Sequence, residues 1–122
     1  MTLSDKQPYY SSEDIISAYQ DIFENVWNMV SDIVGELTLE LIVKISIKKV
    51  ATAFEFLKYI EVSSEGISLD NIKKKIKNIS LKDLEKGFQS LFSEILTNFN
   101  IMWGNIIIKE LALKLKNVPI KD

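Results

Sequence analysis

The sequence predicts an all-α fold: a helical bundle of two long antiparallel helices plus a short helix and a pinned connector, completed by homodimerisation. Three observations lead there. Apolar residues recur every three or four positions through Ile15 to Ala53 and again through Leu81 to Val118, the spacing that lines one face of a helix. Serines flanked by apolar residues precede the helical runs, and a serine hydroxyl can accept from the orphan N–H groups of a first turn. Apolar residues make up 47% and charged residues 26% of the 122 positions, a balance that supports a packed core rather than disorder. That length suits one hydrophobic core, so residues 1–122 are read as a single domain, with a flexible start at 1–10 and a connector at 54–67.

The first helix is predicted to start at Ser11, with Asp14 three residues on and Tyr10 and Ile15 as a staple pair. Ile15, Tyr19, Ile22, Val26, Val30, Ile33 and Leu37 then trace one helical face. Beyond Gly35 two readings compete, because Leu37, Leu39, Leu41, Val43, Ile45 and Ile47 alternate as a strand would. Helix is preferred over strand here: Glu36, Glu40, Lys44 and Lys48 form a polar line spaced by four, with Glu before Lys. No second alternating run exists to pair with a lone strand. Apolar residues surround the rest of that cylinder, so the helix is expected to be mostly buried.

The helical phase is lost from Phe54 to Ile67, and Ser63, Ser64, Glu65 and Gly66 supply a turn. Phe56, Leu57, Tyr59, Ile60 and Val62 make this connector too apolar to hang free, so it should lie against the bundle, briefly extended. A short helix is predicted over Leu69 to Lys77, after a start signal at Ser68. Ser80, with Asp83, Ile79 and Leu84, opens the second long helix, predicted to run to Lys116 before Pro119 stops it. Sliding the chain by 69 residues places Phe23 on Phe92, Val26 on Ile95, Val30 on Phe99 and Gly35 on Gly104, but also Leu41 on Glu110, a correspondence that internal duplication would give and that two amphipathic helices in phase give by chance.

Composition narrows function more by exclusion than by indication. No cysteine and no histidine occur, and all 15 basic residues are lysine. Thiolate catalysis, disulfides, the commonest metal ligand and the planar fork that binds phosphate and guanine are therefore missing. Acidic residues such as Asp14, Asp21, Glu24, Asp32, Glu36 and Glu40 have no histidine to complete a carboxylate-bridged metal centre. The expectation is no metal, no cofactor and no catalytic residue. A net charge of -2 gives no general pull toward nucleic acid. The N-terminus lacks a secretory pattern, and the longest uncharged run, Ile95 to Ile108, is shorter than a membrane span needs, so a cytoplasmic protein is expected.

What remains is surface. Leu39, Ile42, Val43, Ile107, Ile108 and Leu111 lie off the main helical stripes, and the prediction is that they form a homodimer interface. Gly35 and Gly104 would permit close helix approach or a helix end, while Trp27 and Trp103 are wide enough to anchor a partner. The leading reading is a non-catalytic interaction or regulatory module that binds itself and a partner protein. Two alternatives stand beside it. Lys73, Lys74, Lys75 and Lys77 near the break at 78–80 outline a helix-turn-helix nucleic-acid binder over Ile67 to Phe88, and Trp27 with Trp103 could hold a small apolar ligand.

Overall fold

The computed structural model describes residues 11–75, 78–103 and 113. Within them the chain forms α1 (Ser12–Val34), α2 (Glu36–Val50), a 3-10 turn (Glu55–Tyr59), β1 (Glu61–Ser63), β2 (Gly66–Ser68), α3 (Asp70–Lys75) and α4 (Leu81–Trp103). The all-α reading holds, with only a two-stranded ribbon added.

Both long helices begin as the serines predict. The Asp14 N–H donates to Ser11 Oγ at 3.2 Å and the Asp83 N–H to Ser80 Oγ at 3.1 Å, each satisfying one donor that the first turn leaves unpaired. Ser11 and Ser80 stand 69 positions apart and cap in the same way, so the internal correspondence includes the two helix starts. Ser68 Oγ accepts from the Asp70 N–H at 3.3 Å, and α3 starts at Asp70, one residue later than expected.

The first apolar stretch is two helices, not one. Gly35 has φ +91° and ψ 151°, a region in which only glycine sits without strain. Its N–H closes α1 on the Ser31 carbonyl at 2.9 Å, and its own carbonyl accepts from the Leu39 N–H at 3.1 Å to open α2. Between Leu37 and Ile47 the chain is helical, which settles the alternation in favour of the four-residue polar line.

The break makes α2, rather than α1, the antiparallel partner of α4. Asn98 Nδ2 donates to Ser46 Oγ at 2.8 Å, and Lys49 Nζ stands 3.4 Å from Glu94 Oε2, so sequence numbers rise along one helix as they fall along the other. Ser46 is the one fully buried polar side chain among the described residues. Its hydroxyl accepts from Asn98 and donates to the Ile42 carbonyl at 2.8 Å, so no polar atom there is left to carry the cost of burial. α1 meets α4 through rings taken in rising order: Tyr19 stacks on Phe88 at 5.0 Å between centroids, and Phe23 lies 6.4 Å from Phe92. Ile15, Phe23, Val30, Leu84, Phe88, Leu91 and Phe99 fill the space between these helices and are all but inaccessible.

The connector is pinned, as its composition predicts, with Phe56, Leu57 and Ile60 buried. β1 and β2 pair antiparallel, with Val62 opposite Ile67. Gln20 of α1 clamps the second strand: Nε2 donates to the Ile67 carbonyl at 2.8 Å while Oε1 accepts from the Leu69 N–H at 2.8 Å. The Phe56 ring meets Phe88 edge-on at 5.5 Å and rests on Gly87 of α4, where an added Cβ would stand 2.5 Å from Phe56 Cζ. That contact explains a glycine inside a helix, where it costs about 1 kcal/mol relative to alanine.

Two glycine substitutions separate these roles. Gly87→Ala should destabilise by roughly 1–3 kcal/mol in chemical denaturation, because buried Phe56 must move, despite the better helix former. Gly35→Ala meets no neighbouring atom, so its expected loss, again roughly 1–3 kcal/mol, is backbone strain alone. Neutral behaviour of either would contradict the packing or the strain assigned here.

Candidate interaction surface

α2 is apolar on two opposite sides. Leu39, Ile42, Val43 and Ile47 face inward and are buried. Leu37, Leu41 and Ile45, four residues apart, face outward with 73%, 57% and 60% of their surface exposed. A four-residue step advances only slightly around a helix, so these three form one continuous aliphatic stripe on the side away from the core. Scattered single exposed aliphatics are ordinary, but a contiguous row is the kind of surface that marks an interaction site.

Charge is ordered along the same helix. Glu36 and Glu40 occupy its first half and Lys44, Lys48 and Lys49 its second, the order that suits the helix dipole. Glu40 and Lys44 pair at 2.8 Å along the flank of the stripe. At the end of α4 two further aliphatics, Ile101 and Met102, are 74% and 58% exposed. Continuing the antiparallel register from Ser46 and Asn98 sets them beside the middle of α2.

This placement corrects the interface expected from sequence. Leu39, Ile42 and Val43 cannot line a surface, since α2 buries them at 1%, 3% and 1% exposure against its own chain. Ile107, Ile108, Leu111 and Gly104 lie outside the described residues, as do Lys77 and the side chain of Trp103. Gly35 is a helix end, one of the two roles expected of it.

Trp27 is 4% exposed, packed beside Gly66 of the hairpin, and so is an internal residue rather than a partner anchor. The cleft of about 320 Å³ next to it is open and mostly polar at its rim, with Glu24, Asn28, Ser63, Glu65 and Ser68. It lacks the enclosed apolar walls that bury a small hydrophobic ligand. Of the basic cluster, Lys73, Lys74 and Lys75 are all exposed, and Lys75 also lies over the Tyr59 ring at 5.8 Å. α3 is described over Asp70–Lys75, and residues 76 and 77, at the turn that a helix-turn-helix needs, lie outside the described residues.

Among the described residues, no three acidic side chains are grouped to hold a metal ion. Nor is any described helix long and apolar enough to cross a membrane. No family model, curated protein or solved structure matches this chain, so the surfaces must be read on their own chemistry.

The two sides of α2 should respond differently to truncation. In dilute protein, Leu39→Ala should cost roughly 2–5 kcal/mol, as for a fully buried leucine, and Leu41→Ala less than about 0.5 kcal/mol. Thermal or urea unfolding of both variants checks this, and equal losses would place Leu41 in the core.

Proposed function

We propose that the protein is a non-catalytic helical interaction module that works by self-association and by presenting helical surface to a partner protein, in a regulatory role in the cytoplasm. The observation that carries the reading is the outward stripe of Leu37, Leu41 and Ile45. Removing apolar surface from water contributes about 25 cal/mol per Å², and a helix with apolar residues on both sides is ordinarily covered on both. Nothing in a single copy covers the outer side of α2 among the described residues. The absence of histidine, cysteine and arginine from the chain supports activity by contact over activity by bond-making, since those side chains supply much of acid–base, nucleophilic and phosphate chemistry.

Sedimentation velocity at micromolar concentration is the test. The full chain should sediment as a dimer, and Leu41→Glu should sediment as a monomer with unfolding stability changed by less than about 1 kcal/mol, because the site is exposed. A wild-type chain that remains a compact monomer would overturn the proposal.

A further inference from the structure

We infer that two copies pair through α2 in an antiparallel, isologous arrangement whose two-fold axis passes by Leu41; this rests on the self-association proposed above and specifies its geometry. The argument comes from the order of side chains along one helix. A stripe stepping by four, Leu37, Leu41, Ile45, is the ridge that interdigitates when two helices pack on their four-residue rows. A two-fold axis perpendicular to the pair, placed at Leu41, brings Leu41 against its own equivalent and Leu37 against Ile45 of the second copy.

Charge selects this direction over the parallel one. The axis maps each flank of the stripe onto the same flank of the other copy with its axial order reversed. Position 36 of one copy then faces position 46 of the other, which sets Glu36 between Lys44 and Lys48 at both ends of the contact, while Glu40, near the axis, lies between Lys44 and Glu40 of the second copy. A parallel pair, whose axis runs along the helices, would instead set this flank beside the opposite flank of the other copy, where Thr38 and Lys49 offer no acidic partner to its lysines. The exposed lysine stems also extend the apolar cover at the edges of the stripe. An unrelated partner helix could satisfy the aliphatic row. Self-complementarity under a two-fold rotation is the property an isologous surface must have, and α2 has it in both its apolar and its charged residues.

The absence of cysteine makes the test direct. Leu37→Cys, Leu41→Cys and Ile45→Cys are made one at a time in the full chain, at exposed positions that leave the core untouched, and treated with a short bifunctional thiol reagent. Leu41→Cys should cross-link to itself, while Leu37→Cys and Ile45→Cys should cross-link efficiently only when mixed. In sedimentation, Lys44→Glu with Lys48→Glu should weaken the dimer about tenfold or more at low salt, because four acidic groups then face four. Efficient self-cross-linking of Leu37→Cys, or a dimer indifferent to the charge change, would replace this arrangement with the parallel one. A wild-type dimer in which no cysteine cross-links would overturn the α2 pairing and leave self-association standing through another face. A monomeric wild type would remove both.

Discussion

The redirection of the chain at Gly35 decides where the apolar surface of this protein ends up. Had α1 continued unbroken, the residues after Val34 would have run on beyond the core, and α4 would have lost the helix now packed along it. With φ at +91°, α2 instead lies antiparallel on α4, held by the Asn98 to Ser46 hydrogen bond and the Lys49 to Glu94 pair. One glycine thereby turns a long amphipathic stretch into two of the sides that enclose Phe23, Phe88 and Phe99. The same redirection leaves a helix with aliphatic residues on both sides and, among the described residues, only one side occupied.

The rest of the architecture follows from filling around that frame. The connector between α2 and α3 is too apolar to run through solvent, so it folds as a 3-10 turn and a short ribbon whose inward residues Leu57, Ile60 and Ile67 complete the core. Gln20 bridges a carbonyl and an amide at the end of the ribbon, and Gly87 makes room for Phe56. These contacts are specific but inward-looking. They explain a stable subunit and say nothing of a partner, which is why the outer side of α2 stands out.

Much of the fold was legible from local chemistry. Ser11 with Asp14 and Ser80 with Asp83 mark helix starts through capping that needs no tertiary contact, and both caps are present. The polar line Glu36, Glu40, Lys44, Lys48 identified a helix where alternation suggested a strand, because charge spacing records which side is solvated. What could not be read was which of two apolar sides of α2 turns inward. With leucine, isoleucine or valine on both, periodicity is silent, and the choice falls to the backbone geometry at Gly35 and to the buried Ser46, a polar residue on the inner side. For the same reason Leu39, Ile42 and Val43 looked like interface while Leu41 and Ile45 did not. Gly87 was passed over because its meaning lies in Phe56, thirty-one positions away, although a glycine inside a strong helical run was a visible signal. Trp27 looked like an anchor for a partner, and the hairpin that covers it could not be foreseen from helical spacing.

The central claim is that the outer side of α2 is covered by a second copy of the same chain. Amide hydrogen exchange of the full chain, followed across Glu36–Val50 at protein concentrations below and above the dimer midpoint, tests it most directly, since pairing suppresses the local opening that exchange reports. The account predicts that protection of α2 rises with concentration while that of α3 and the hairpin stays constant. Protection of α2 that is the same at every concentration would contradict it.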